Sequence, residues 1–253
     1  MEEERGSGLR AVSGGASGTA APVRVGVAVP AAGSGRRLGG VRKPFLELAG
    51  EPILVHALRP FLADARVVRV VVALGADDAA DPPPWLTGLD ARIGVVAGGP
   101  TRAHSVRNAL DALPADLQVI AVHDAARPLV AAEVVSRCID LAAVGKGAVA
   151  GCPAVDTMKE VDAGGYVVST PDRAALWHAH TPQVFPAEAL RRAYAAPPEA
   201  LARATDDAVL AASVGVRVRM VDGGPTNLKV TRHGDLALAE AVLAERHRGG
   251  QAQ

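Results

Sequence analysis

Short apolar runs alternate with helical patterns along most of this chain, and that alternation restricts the fold more than any other feature. Residues 23–30, 67–74, 93–96, 118–123 and 147–152 read as buried strands, rich in Val, Ile and Ala and lacking a polar alternation. Between them, residues 53–62, a segment capped near Thr101 and running to Leu113, and residues 131–144 read as helices with one apolar face. Strands buried on both faces need helices on both faces. The pattern therefore predicts an α/β fold, a Rossmann-like, mostly parallel sheet with helices on each side. Ligands of such sheets bind beyond the carboxyl ends of the strands. The turn at Gly33, the Gly98-Gly99 pair and His123-Asp124 all fall at such ends.

Residues 153–183 interrupt the alternation. Residues 155–161 and 166–170 flank Asp162-Ala163-Gly164-Gly165, which predicts a hairpin with both glycines at positive φ. A hairpin thrown out from an α/β core needs a surface to pack on, and a second subunit is the economical one. Residues 153–183 are therefore expected to form a projecting β-arm for dimerisation. Residues 77–84 read as a loop. Helices over 186–195 and 206–214, a strand over 217–221 and a closing helix over 234–246 complete one domain spanning 23–247. Residues 1–22, rich in Gly, Ser and Ala, read as a disordered leader, and 248–253 as a flexible tail. The leader lacks the basic and apolar regions of a secretory signal. No apolar run approaches the length that crosses a bilayer.

The 27 basic and 27 acidic residues cancel, which argues against a nucleic-acid binder acting through a broad basic surface. Affinity for anions must then be local. The two cysteines, Cys138 and Cys152, suggest reduced thiols in the cytoplasm rather than a disulfide framework.

The most local concentration of charge follows the first strand. Pro30-Ala31-Ala32-Gly33-Ser34-Gly35 leads into Arg36, Arg37 and Lys43. Short residues let main-chain N–H groups approach phosphate oxygens, while Arg supplies a planar fork and Lys a point charge. The order suits a triphosphate, and a plain strand-to-loop turn with solvated cations is the simpler alternative. Leu38 stands where a dinucleotide fingerprint needs its third glycine, and no Gly-Lys-Ser/Thr occurs anywhere.

Three further segments bear on chemistry. In His123-Asp124-Ala125-Ala126-Arg127-Pro128 the carboxylate can hold a substrate hydroxyl or sit near Mg²⁺, and Arg127 can take a phosphate. Alternatively the two form an ion pair that fixes the turn, and His123 reads as structural. Gly98-Gly99…Arg102…Ser105 suits a nucleobase or ribose edge, or a simple helix start. Lys229, in Asn227-Leu228-Lys229-Val230-Thr231, reaches a phosphate or lies on the surface. His178 and His180 lack a third ligand nearby, which argues against zinc.

Taken in order, these segments resemble a known family. Pro30–Arg37, Gly98-Gly99…Arg102…Ser105-Val106 and His123–Pro128 continue with Asp156-Thr157-Met158-Lys159, Leu176-Trp177…Thr181-Pro182-Gln183, Thr205-Asp206-Asp207-Ala208 and Asn227–Thr231. The series, from about residue 25 to 244, resembles the 2-C-methyl-D-erythritol 4-phosphate cytidylyltransferases. The resemblance implies a dimeric enzyme of the nucleotidyltransferase fold that makes CDP-methylerythritol from CTP and methylerythritol phosphate with Mg²⁺. It implies main-chain recognition of cytosine at Ala31, Ala32, Gly33 and around Gly99, with the Ser105 hydroxyl. It implies that Arg37 and Lys43 grip the triphosphate and that Asp124, Arg127 and Lys229 line the join between the two substrates. Asp124 either orients the acceptor or helps hold the metal. Thr157 and Arg173 reach the acceptor bound mainly by the other subunit, and Thr181 and Thr205 match further substrate-side positions. Pro100, Asp207 and Pro44-Phe45 depart from the usual residues, and are expected to alter fit rather than chemistry. Two rivals remain: a ribitol 5-phosphate cytidylyltransferase, with nearly the same motifs, and a nucleotide-binding module without catalysis.

Overall fold

The computed structural model describes residues 22–33 and 42–250; residues 1–21, 34–41 and 251–253, and the side chains of Lys43, Pro198 and His233, lie outside the described residues. β1 (Val25–Pro30) starts the main sheet. A small ribbon, β2 (Glu47–Leu48) and β3 (Glu51–Pro52), turns at Ala49 and Gly50, with φ of 52° and 83°. It feeds α1 (Ile53–Leu62), which precedes β4 (Val67–Leu74). The 77–84 stretch is not the expected loop throughout. It contains most of α2 (Ala76–Ala80), whose first turn carries Asp77 and Asp78, and the start of α3 (Pro84–Thr87), opened by a proline. Both are favourable helix-start chemistry. β5 (Ile93–Ala97), α4 (Arg102–Ala112), β6 (Val119–Val122), α5 (Ala132–Ala143) and β7 (Gly147–Pro153) follow within a residue or two of the expected bounds.

The hairpin is there, as β8 (Glu160–Val161) and β9 (Val167–Ser169). Of its two glycines only Gly165 has positive φ, at 82°. Asp162 Oδ1 accepts from the Gly164 and Tyr166 amides, both at 2.9 Å, and so closes the turn with one left-handed residue. The return is a correction to the expected arm. Residues 177–186 form β10 (Trp177–Pro186), a long strand inside the main sheet. Its sequence hides it: Pro182 breaks the apolar run and removes a ladder donor, which argues against a central strand. The ladder to β7 accommodates this by shifting register between Ala179 and Gln183.

α6 (Ala187–Tyr194), α7 (Pro198–Arg203), α8 (Asp207–Ser213) and β11 (Val218–Asp222) come next, and α9 (His233–Gly250) closes the chain, running past the expected end at 246. The main sheet has the order β11-β7-β10-β6-β1-β4-β5. β10 pairs antiparallel with both neighbours, and every other pairing in the sheet is parallel.

Side chains alternate between two cores. Val25, Val27 and Val29 of β1 join Leu54, Leu58 and Phe61 of α1 and Val135 and Ile139 of α5 on one face. Ala28 joins Val106 and Leu110 of α4, Phe185, and Leu190 of α6 on the other. A third cluster seats Ala239 of α9 on Leu48, Ile53, Leu129 and Val230, and so fixes the 226–231 segment beside the sheet. After β1 the chain winds one way through β4 to β5, then crosses back to β6 on the other side of β1. That reversal leaves a crevice at the carboxyl ends of β1 and β6, the general position for a ligand site in an open α/β sheet.

Candidate functional site

A cavity of about 470 Å³ opens at that crevice. Ala31, Ala32 and Gly33 after β1 form one wall, and Gly99, Pro100 and Ser105 after β5 another. Arg102, Asp124 and Lys229 bring the charge. Ala31 N donates to Ala73 O at 2.8 Å and Gly98 N to Leu74 O at 2.7 Å, so both strand exits are tied to β4. A Cβ at Gly98 would collide with Ala32 and lie 2.9 Å from Ser105 Oγ. Glycine is needed there for the two walls to approach. Ser105 Oγ accepts from Gly99 N at 3.1 Å and donates to Thr101 O at 3.1 Å, bracing the turn from inside.

The charged wall is a chain of alternating sign. Arg102 Nε donates to Asp124 Oδ1 at 2.9 Å, while its Nη1 and Nη2 donate to Asp207 Oδ1 and Oδ2 at 3.0 and 2.8 Å. Asp207 is fully buried and also accepts from the Tyr194 hydroxyl. Lys229 Nζ donates to Asp124 Oδ2 at 2.8 Å. Burial opposes the charge on Asp124, but Arg102 and Lys229 outweigh it and hold the carboxyl well below its usual range. Burial likewise opposes the charge on Arg102, and Asp207 and Asp124 overcome it, raising its pKa. Burial and the neighbouring Asp207 carboxylate push Tyr194 upward, so it remains a phenol donor.

Beneath Asp124 the turn is held by His123. Its Nε2 lies 3.0 Å from Arg127 O and its Nδ1 3.1 Å from Thr181 Oγ1, which also accepts from Asp124 N at 2.9 Å. These partners assign the tautomer: Nε2 carries the proton, and Nδ1 accepts from the threonine hydroxyl. Burial lowers the His123 pKa from 6.5 to about 4, so the ring is neutral at pH 7. The unfolded chain therefore binds this proton near pH 6.5, and the folded protein only near 4. Stability is complete above the first value and declines as pH falls toward the second, by about 3 kcal/mol at most. Urea titrations of wild type and His123→Gln across pH 4–7 are expected to differ by this slope, with Gln able to donate and accept at the same two partners. Parallel pH profiles would refute the assignment.

The structure thus gathers Ala31, Ala32, Gly33, Gly99, Ser105, Asp124 and Lys229 around one cavity. Other anticipated residues lie elsewhere. Arg127 is buried below the turn, its Nη1 donating to Asn227 O at 2.7 Å, and Thr181 is buried beside it. Thr205 is exposed just before α8. Thr157 and Arg173 are exposed on the arm, where Arg173 Nη1 donates to Val155 O at 2.8 Å. Arg37 and the side chain of Lys43 fall outside the described residues, although Pro44, next after Lys43, lines the cavity. The parts that sequence reasoning missed are the Arg102 fork and its anchors Asp207 and Tyr194. One signal was available: a cation in the first turn of a helix opposes the dipole and calls for compensating carboxylates.

Among the described residues no group of three His, Cys, Asp or Glu side chains is placed to hold a metal ion. Asp124 is the one carboxylate among the residues lining the cavity, and both its oxygens accept from cations. With a single carboxylate, a hard cation such as Mg²⁺ would have to be carried mainly on phosphate oxygens, and Asp124 could join it through Oδ2 only once Lys229 has left.

Comparison with known proteins gives a consistent answer. Residues 25–245 match the family model described as 2-C-methyl-D-erythritol 4-phosphate cytidylyltransferase. The chain is 44% identical over 231 residues to the protein of that name from Symbiobacterium thermophilum, covering 89% of this chain and 95% of that one. It is 43% identical over 239 residues to the one from Streptomyces coelicolor, covering 89% and 87%. Among solved structures, the enzyme of that name from Thermus thermophilus superposes with a TM-score of 0.71 at 32% identity, covering 88% of this chain and 100% of that one. The 4-diphosphocytidyl-2C-methyl-D-erythritol synthase of Anaerococcus prevotii superposes with a TM-score of 0.77 at 27% identity, covering 88% and 97%.

Proposed function

This chain belongs to the 2-C-methyl-D-erythritol 4-phosphate cytidylyltransferase family, and we propose that the strand-end cavity is where it performs the family's reaction. The protein transfers the cytidylyl group of CTP to methylerythritol phosphate, giving CDP-methylerythritol. Pyrophosphate is the other product, by balance. The observation that carries the placement is the cavity's division into a neutral main-chain wall and a charged wall.

In this reading the acceptor phosphate attacks the α-phosphorus of CTP in line, and pyrophosphate departs on the opposite side. A phosphate monoester is largely ionised near neutral pH, so no strong general base is needed. Repulsion between two anions is the main obstacle, and cations and positioning overcome it. The Ala31–Gly33 and Gly99 main chain reads the cytosine, with Ser105 bracing the turn. Arg37 and Lys43 hold the triphosphate, and Lys229 turns from Asp124 toward phosphate. Asp124 orients acceptor hydroxyls. Arg127 stands below them, its Nε 3.9 Å from Asp124 Oδ2 but without a hydrogen bond, and Asn227 Oδ1 and His180 Nδ1 are likewise buried without one. Thr181 supports Asp124 through its backbone amide, and Thr205 serves the acceptor side.

Mg²⁺, bound chiefly to the triphosphate with Asp124 as its candidate protein ligand, would supply charge neutralisation at the phosphates. An Asp124→Asn variant distinguishes the two roles open to this carboxylate. An orienting role is expected to raise acceptor KM about tenfold with an unchanged Mg²⁺ requirement. A raised Mg²⁺ requirement at unchanged KM would move Asp124 to the metal.

We further infer a homodimer with exchanged arms. The arm exposes Val155, Val161, Tyr166, Val167 and Val168, an apolar set that a partner would cover. Its Thr157 and Arg173 would then complete the partner's acceptor site. No helix among the described residues is long and apolar enough to cross a membrane. Two unpaired cysteines support a cytoplasmic location.

Pyrophosphate release with CTP and Mg²⁺, run in parallel with methylerythritol phosphate and ribitol 5-phosphate, tests the whole reading. Turnover with the first acceptor alone is expected. Equal or faster turnover with ribitol 5-phosphate would reassign the acceptor, and silence with both would favour a binding module.

A further inference from the structure

Arg102 lines the cavity, yet its guanidinium is committed on three nitrogens to two carboxylates. We propose that Asp207 is a positioning residue for cytidylyl transfer, acting through Arg102 to hold the Asp124 carboxylate in place while Lys229 moves to substrate phosphate. The inference rests on the placement of the reaction in this cavity.

Geometry carries the argument. Asp207 is fully buried, and its two oxygens take the end of the guanidinium in the planar bidentate arrangement that fixes both distance and orientation. Tyr194, on α6, donates to Oδ1 of the same carboxylate and so holds Asp207, on α8, in place. The remaining edge of the guanidinium then faces Asp124 Oδ1, 2.9 Å from Nε. Asp207, Arg102, Asp124 and Lys229 alternate in sign and sum to zero. When Lys229 leaves Asp124 for a phosphate, Arg102 stays, and the Asp124 carboxylate keeps a partner and an orientation. Without Asp207 the guanidinium would lose its fixed plane, and Asp124 would lose its fixed direction.

A double-mutant cycle between Asp207→Asn and Asp124→Asn tests this, read as acceptor kcat/KM, CTP Kd and Tm. In the wild-type background Asp207→Asn is expected to lower acceptor kcat/KM by about 10- to 100-fold, the scale of a small misplacement of a reacting partner. CTP Kd should change less than about twofold, since the main-chain wall is untouched. In the Asp124→Asn background the same change should cost less than about threefold in kcat/KM, because its target is already gone. The drop in Tm should be similar in both backgrounds. Equal activity losses in the two backgrounds, or a parallel loss of CTP binding, would reduce Asp207 to a structural role and overturn the proposal. Should Asp207→Asn fail to fold, Tyr194→Phe replaces it, with an expected loss of about 3- to 10-fold in the wild-type background only. Equal loss in both backgrounds, or none in either, overturns the proposal there too. A wild-type protein inactive with CTP and methylerythritol phosphate would instead remove the functional reading itself.

Discussion

Replacing Lys43 or Arg37 with Ala is expected to lower kcat by about 10²–10³, the range for removing one electrostatic stabiliser from an active site. The size of the effect follows from the charge balance of the cavity. Two anions must meet, and the transition state gathers the charge of the triphosphate and the incoming phosphate at one place. Apart from Arg127, buried beneath Asp124 at 3.9 Å, the charged groups at the described part of the cavity have no surplus to offer. Arg102 is held by Asp207 and Asp124, and Lys229 is held by Asp124, so these two cations and two carboxylates cancel. We propose that the positive excess comes from the segment between Gly33 and Pro44, where Arg36, Arg37, Arg42 and Lys43 occur. Arg42 pairs with Asp78, which leaves the catalytic assignment to the others. The check is kcat at saturating CTP and acceptor. A loss below about fivefold in both variants would remove the assignment, since that is under the magnitude of one stabilising hydrogen bond to charge.

Mixing an Arg173→Ala subunit with an Arg37→Ala subunit is expected to restore activity that neither homodimer has. In an exchanged dimer the site built on the Arg173→Ala body keeps its own Arg37 and receives an intact Arg173 from the partner arm. The other site carries both defects. Random exchange of equal amounts makes half the dimers mixed, with one working site in two, so activity should return to about a quarter of wild type. The physical basis is the arm itself. It projects as a two-stranded hairpin with its apolar side chains in solvent, and an isolated hairpin of this kind is marginally stable without a surface to pack on. Mass-tagged subunits establish that exchange has occurred. No recovery after verified exchange would place Arg173 in its own subunit's site or outside any site.

The sheet was legible because its strands are buried on both faces and so must be continuous apolar runs. β1, β4, β5 and β7 each end at a proline or just before a glycine, and β6 ends before His123-Asp124. The Gly98-Gly99 pair was legible for a related reason: close approach of neighbouring groups leaves no room for a Cβ at either position, and sequence records that directly. β10 was hidden because its first three residues are exposed and Pro182 interrupts it. α2, α3 and α7 were hidden because four to six residues are too few to show a helical period.

The sequence by itself determined the α/β class, the strand ends at which a ligand must bind, and the residue types that suit phosphate. The tertiary structure alone decided which charges oppose which. Arg102 and Asp207 are 105 positions apart, as are Asp124 and Lys229, and no local spacing announces either pair. They meet because α4, α8 and the 226–231 segment all converge on the carboxyl ends of the central strands. A carboxylate that reads in sequence as a metal ligand, a hydroxyl acceptor or a turn brace becomes, once buried between two cations, an ionised and oriented group.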